Sequence, residues 1–214
     1  MNRTADVVIV GAGVIGSATA FELAKRGYKT LNIDKLPASG YGSTSNSCAI
    51  VRAHYSTWDG VAMAYEGFFY WDDWNKYLEV EDERGMAKYM KTGSIMFMLK
   101  GADHSKKSLN LFKEIGVEHE IWDLETLKKK MPIYSHDSYN GTSRPDEDDS
   151  FFDKSGDQIE GAIWTPGSGY VSDPQLATHN LQVATEAKKG EFLFDAEITE
   201  IRQSNGQIQG VTLK

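Results

Sequence analysis

The sequence has 214 residues, 40% hydrophobic and 25% charged, which is ordinary globular usage at a length that buries a core, so disordered and collagen-like chains are excluded. Its 31 acidic residues outnumber 23 Lys and Arg, and the net charge of −8 lacks the basic footprint of a nucleic-acid binder. The single cysteine, Cys48, cannot close an internal disulfide, which excludes a disulfide framework and fits a reducing, cytoplasmic setting.

The first 34 residues read as strand, helix, strand. Val7-Val8-Ile9-Val10 is a continuous apolar run, as in a strand covered on both faces. Gly11, Gly13 and Gly16 follow, and Val14, Ala18 and Phe21 then recur at helical spacing beside a polar stripe of Glu22, Lys25 and Arg26. Gly27 reads as the helix stop and Thr30 to Asp34 as the second strand. The uncharged run 7–21 is shorter than the ~20 residues a membrane span needs. Asp6 and the glycines argue against a signal peptide.

Residues 37–46 form a Gly-, Ser- and Thr-rich loop, and the aromatic stretch Trp58 to Tyr77 predicts a core-packed helix showing Phe68, Trp71 and Trp74 on one face. The acidic run Glu79 to Glu83 reads as a solvated turn. Thr92 to Leu99 reads as a strand, and Ser108 to Ile115 as a helix closed by Gly116. Asp123 to Met131 reads as a short helix with Lys128 to Lys130 at a solvated end. Pro145 to Asp157 reads as a mobile acidic loop. Asp153, Ser155 and Asp157 imitate the start of a calcium loop, but Gln158 stands where glycine is needed and Trp164 where glutamate is needed, so no metal site is expected. Asp173 and Pro174 cap a helix that runs to about Lys189, and the remainder reads as strands with an Asn205-Gly206 hairpin turn.

The chemistry sits in Gly11-Ala12-Gly13-Val14-Ile15-Gly16, a G-x-G-x-x-G placed after a strand and opening a helix. The first glycine permits the tight turn, the second lets a pyrophosphate approach the backbone, and the third lets helix and strand pack closely. Free N–H groups at the helix start attract the phosphates. Asp34 closes the second strand at roughly the ~20-residue distance where an acid hydrogen-bonds a ribose. The pattern predicts a dinucleotide site. An acid at Asp34 disfavours a 2′-phosphate and hence NADP, while NAD and FAD both fit.

Gly42-Ser43-Thr44-Ser45-Asn46-Ser47 follows, then Arg52, His54 and Tyr55, and later Gly167-Ser168-Gly169-Tyr170-Val171-Ser172-Asp173-Pro174. With Val8 to Gly16 and Asp34-Lys35, these pieces resemble the flavin-dependent family of D-amino-acid oxidase, glycine oxidase, sarcosine oxidase and dimethylglycine dehydrogenase. The resemblance covers essentially the whole chain. It implies a Rossmann-like α/β FAD-binding domain with an interleaved, incomplete α+β substrate domain, divided as 1–85, 86–164 and 165–214. It implies oxidation of the C–N bond of an amino acid or N-methylated amine. FAD would be held by Gly11, Gly13, Val14, Ile15 and Gly16 at the pyrophosphate, and by Asp34 and Lys35 at the ribose. Gly42, Ser43, Thr44 and Ser45 would meet phosphate and the flavin end, and Ile198 the adenine.

The resemblance also aligns Arg52 with an arginine that pairs with a substrate carboxylate, a match for a guanidinium fork; a structural ion pair is the alternative. His54 is the second candidate near the chemistry. Asn46 stands where some relatives carry a flavin-linking histidine, so FAD is expected to bind without a covalent bond. Cys48 reads as a small packed residue. The family fold requires roughly a further half-chain, so the sequence reads as a fragment or as a subunit completed by a partner chain. The expected partner is a small amine or amino acid, with no nucleic acid and no membrane. The rival readings are an NAD-dependent dehydrogenase and a non-catalytic nucleotide-binding subunit.

Overall fold

In the computed structural model, which describes residues 3–101, 103–139 and 144–214, the opening strand-helix-strand is β1 (Val7–Val10), α1 (Val14–Lys25) and β2 (Thr30–Ile33). β2 is flanked by two parallel partners, β1 on one side and a later strand, Glu191–Leu193, on the other. Side chains alternate across β2. Leu31 and Ile33 pack with Ala5, Val8 and Ala196 on one face, so Thr30 and Asn32 point to the opposite one. The buried face of α1 is Ser17, Ala20, Phe21 and Ala24, offset from the expected Val14, Ala18 and Phe21. Small residues there let the helix approach the sheet closely. Gly27 takes φ +91 behind the helix end, the left-handed conformation that a glycine adopts without cost.

After β3 (Ile50–Val51), the aromatic stretch forms two helices rather than one, α2 (Trp58–Asp72) and α3 (Trp74–Leu78). Phe68 and Trp74 are buried, and Trp71 stacks on Trp74 at 4.4 Å. Next come β4 (Tyr89–Met90), β5 (Ser94–Met98), α4 (Asp103–Ile115), β6 (Glu120–Asp123) and α5 (Leu124–Lys130). α4 begins well before the expected Ser108. Asp123 caps α5 by accepting from the Thr126 N–H at 2.8 Å. The supposed acidic loop is partly a strand: β7 (Asp137–Tyr139) pairs with β8 (Lys154–Gln158). The side chains of Asp157 and Gln158 lie outside the described residues. β9 (Gly161–Thr165) lies antiparallel between β5 and β6.

β10 (Gly169–Val171) pairs with β4 and leads into α6 (Pro174–Ala187). Asp173 Oδ1 accepts from the Gln175 and Leu176 N–H groups, both at 2.9 Å, as the predicted N-cap. β11 (Glu191–Leu193) completes the parallel sheet, and β12 (Ile198–Ser204) and β13 (Gln207–Leu213) form the predicted hairpin. Asn205 and Gly206 have φ +50 and +75, as the turn requires.

The chain divides into two compact units. One comprises Met1–Ile50, Tyr70–Met90 and Tyr170–Lys214, the other Val51–Phe69 and Lys91–Gly169. The sequence division kept 51–69 with the nucleotide-binding part. Those residues pack in the second unit because Ala53, Val61 and Phe68 join Phe112, Val117 and Ile163 in one core. In the first unit Asp82, expected on a solvated turn, is buried. It accepts from Asn180 Nδ2 at 2.7 Å, from the Arg84 N–H at 2.9 Å and lies 2.6 Å from His179 Nδ1. Burial pushes its carboxyl up, but these hydrogen bonds outweigh that and hold it below the usual range. Among the described residues no helix is long and apolar enough to cross a membrane.

Candidate functional site

In the first unit the glycine loop is shaped by its close approaches. Gly11 takes φ +97, where a side chain is strained. A Cβ on Gly16 would stand 2.0 Å from the Gly11 carbonyl oxygen, and one on Gly13 would meet Thr44 Oγ1 at 3.2 Å. The loop is therefore a cradle that side chains would fill, which fits a phosphate group drawn against the backbone at the start of α1.

Asp34 follows β2 and is half-buried. Its Oδ2 accepts from the Ala12 N–H at 2.7 Å and its Oδ1 from the Leu36 N–H at 2.9 Å. The acid expected to bind a ribose thus also fastens the glycine loop to the strand end. An ionised carboxylate offers about four acceptor positions, so it keeps capacity for a ribose hydroxyl. Lys35 beside it is exposed. The Ala196 N–H donates to the Asp34 carbonyl at 3.1 Å, which brings the start of β12 to the same end of the sheet, and Ile198 packs on the Leu31–Ile33–Ala196 cluster.

The hydroxyl loop folds over the helix start. Thr44 is buried, and its Oγ1 accepts from the Val14 N–H at 3.1 Å. Ser45 Oγ and Asn46 Nδ2 both donate to the Gly42 carbonyl, at 3.1 and 3.0 Å. Ser43 and Ile15 are exposed. Cys48, expected to pack, is exposed on the turn before β3. Polar neighbours at 43–47 bury little apolar surface there, so nothing draws the thiol inward.

In the second unit Arg52, His54, Tyr55, Ser56, Ile95, Met96 and His104 line a cavity of about 310 Å³. Among the described residues no carboxylate forms an ion pair with Arg52. His54 is buried and stacks on Phe112 with centroids 5.5 Å apart. Burial, reinforced by Arg52 and then His104, lowers its pKa to about 4, so the imidazole is neutral at pH 7. Its Nε2 lies 3.0 Å from Thr165 Oγ1, which also meets Ser94 Oγ at 2.9 Å and Ser168 Oγ at 3.0 Å. This hydroxyl cluster escaped the sequence reading. Serine and threonine inside strands carry no spacing signal, and only the β5–β9 register brings Ser94 opposite Thr165. His104 was also missed, as an isolated residue on a helix whose first turn was not foreseen.

The FAD dependent oxidoreductase family matches residues 6–214. Monomeric sarcosine oxidase of Bacillus sp. (strain B-0618) is 29% identical over 149 residues, covering 68% of this chain and 37% of the relative. D-amino acid dehydrogenase of Rhodopseudomonas palustris is 25% identical over 239 residues, covering 96% of the chain and 56% of the relative. L-proline dehydrogenase from P. horikoshii superposes with a TM-score of 0.77 at 21% identity, over 100% of this chain and 50% of that one. The chain therefore spans between about a third and just over half the length of these relatives, as the 37%, 56% and 50% shares state. The Rossmann-like fold read from the glycine pattern is shared with the solved structure.

Proposed function

The chain belongs to the FAD-dependent oxidoreductase family, and from that premise we propose that it carries the FAD-binding loop and the carboxylate-binding arginine of an enzyme that oxidises the C–N bond of an amino acid or N-methylated amine. FAD, when bound, supplies the two-electron acceptor for the hydride that leaves the carbon beside nitrogen. The N–H groups of Gly13, Ile15 and Gly16 serve the pyrophosphate, with Gly11 making the turn and Val14 lining the helix start, its own N–H held by Thr44. Asp34 accepts from the adenosine ribose beside Lys35, the Gly42–Ser45 loop contacts phosphate and the flavin end, and the backbone at Ile198 meets the adenine. This chain makes no covalent bond to FAD at Asn46, because the amide is no nucleophile and already donates to Gly42. Acid precipitation of this chain then releases its flavin.

The observation that carries the substrate reading is Arg52: a guanidinium lining a cavity, with no carboxylate partner among the described residues. It fixes a substrate carboxylate, and the neutral His54 beside it adds no second charge to repel the amine. Arg52→Ala, assayed in the complete enzyme, costs about 2–5 kcal/mol in kcat/KM for amino acids and far less for the matching decarboxylated amines. Arg52→Lys keeps the charge but loses the planar fork, and remains impaired. Equal losses for both substrate classes, or none, return Arg52 to a structural role.

A further inference from the structure

Four atoms surround the Thr165 hydroxyl: Ser94 Oγ at 2.9 Å, His54 Nε2 and Ser168 Oγ at 3.0 Å, and the Ser94 carbonyl oxygen at 3.3 Å. The hydroxyl has one proton to give and two lone pairs to fill. Ser168 is fully buried, and among the described residues Thr165 Oγ1 is the one acceptor for its hydroxyl proton. The Ser94 hydroxyl has the same single partner among them. The two serines therefore donate and fill both lone pairs, which leaves the Thr165 proton for His54 Nε2. Any other arrangement strands a serine proton or sets the imidazole nitrogen against a saturated oxygen. Nε2 is then the acceptor of the neutral ring, and the ring proton sits on Nδ1. His54 is only 8% exposed, yet Nδ1 is not among the sealed polar atoms that lack a partner, and no described residue accepts from it. It opens on the space the ring lines, the cavity of about 310 Å³ that Arg52 also lines.

We propose that His54 Nδ1–H is a second donor to the carboxylate that Arg52 holds, so that one oxyanion group is shared between a charged and a neutral donor, with Thr165 as the positioning residue that selects the tautomer. This rests on the reading of Arg52 given above and adds the His54 contact to it. Three features support the assignment. Thr165 and Ser168 are fully buried, so water does not compete for the hydroxyl cluster. Stacking on Phe112 fixes the ring plane and with it the direction of the Nδ1–H bond. The ring stays uncharged at neutral pH because its pKa is lowered to about 4. It therefore orients a carboxylate without placing a second cation beside Arg52.

The test uses the 214-residue chain labelled with ¹⁵N-histidine, with butyrate as the carboxylate probe and butanol as its uncharged counterpart. The expected wild-type spectrum shows the Nδ1–H tautomer for His54, and butyrate shifts Nδ1 while butanol does not. His54→Leu weakens butyrate roughly tenfold or more, the difference that one hydrogen bond to a charged group makes. His54→Asn, whose amide nitrogen can stand where Nδ1 stood, regains most of that loss. Thr165→Val removes the donor to Nε2, so the Nε2–H tautomer appears and butyrate weakens in parallel; Thr165→Ser restores both. An Nε2–H signal in the wild type, which needs no variant to fold, overturns the proposal. So does a His54→Leu chain that binds butyrate as the wild type does. Arg52→Ala weakens butyrate and keeps the Nδ1–H tautomer, since Thr165 sets it. If Arg52→Ala weakens butyrate but the probe never shifts Nδ1, Arg52 stands and the His54 contact alone falls. If butyrate does not bind the wild type, or binds Arg52→Ala equally well, the reading of Arg52 falls and takes this proposal with it.

Discussion

In the glycine loop every decisive group belongs to the backbone or is bonded to it. Gly11 turns at φ +97, Gly16 sits against a carbonyl, and Asp34 and Thr44 hold the Ala12 and Val14 N–H groups. The Arg52 cavity is built from side chains of separated stretches: 52–56, the strand β5 and the first turn of α4, with Thr165 of β9 behind His54. A site made of backbone shape tolerates almost no added atom, and its chemistry is fixed by conformation. A site made of side chains tolerates substitution sterically, and its chemistry is set by hydrogen-bond partners and burial. The two should therefore fail differently, one through stability and the other through ligand preference and pH.

The sharpest contrast lies inside the loop itself. Gly16→Ala places a methyl 2.0 Å from the Gly11 oxygen, whereas Gly13→Ala meets only the Thr44 hydroxyl at 3.2 Å. Strand and helix must separate to admit the first, at a cost of about 3 kcal/mol or more, while the second requires a small shift of one side chain. Urea unfolding of the two variants measures this. Similar losses for both would mean that the loop is not limited by its close approach.

Asp34 comes next. Asp34→Ala removes the acceptor of two backbone N–H groups in addition to any ribose contact. Unfolding without flavin should show a loss of about 1.5–3 kcal/mol, and FAD affinity should fall further. A variant that loses only FAD affinity, with unchanged stability, would make the carboxylate a ligand and not a fastener of the loop.

The cavity is best probed by pH. The folded-state pKa of His54 is lowered to about 4 from 6.5, chiefly by burial. Between those values the unfolded chain binds a proton and the folded chain does not. Stability from this group is fully present above pH 6.5 and is lost as pH falls toward 4, on the order of 2 kcal/mol in all. His54→Gln should flatten the unfolding free energy across that window. An unchanged slope in the variant would mean that His54 is not the group that titrates there.

The legibility of the two regions follows from the same difference. Glycine spacing, the apolar run of β1, the Asp173–Pro174 cap and the Asn205–Gly206 turn are local signals, and each sits in the structure where the sequence puts it. Partners distant in sequence leave no such mark. Asp82 looked solvated in its acidic run because the side chains that bury it, His179 and Asn180, lie on α6. The strands β6 to β9 are three to five residues long and pair at long range, so they carry little periodicity of their own. Arg52 and His54 are singled out through resemblance, while Thr165, whose hydroxyl lies 3.0 Å from His54 Nε2, comes only with the sheet register.

Thr44 tests whether one hydroxyl serves both the helix and a bound nucleotide. It accepts from the Val14 N–H at 3.1 Å, the part an N-cap side chain plays, since Gly13 at the cap has none to offer. Accepting leaves its own proton free to donate to a phosphate oxygen. Thr44→Val keeps the shape and removes both bonds. It leaves the Val14 N–H buried against a methyl group and should cost about 1 kcal/mol in the absence of nucleotide. ADP binding should weaken as well, because a donor is lost at the pyrophosphate. Thr44→Ser retains the oxygen and should recover most of both losses. Calorimetric titration with ADP, set beside unfolding of the free protein, separates the two parts. If Thr44→Val loses stability but binds ADP as the wild type does, the hydroxyl caps the helix only, and the phosphate contact assigned to Thr44 is removed from the site.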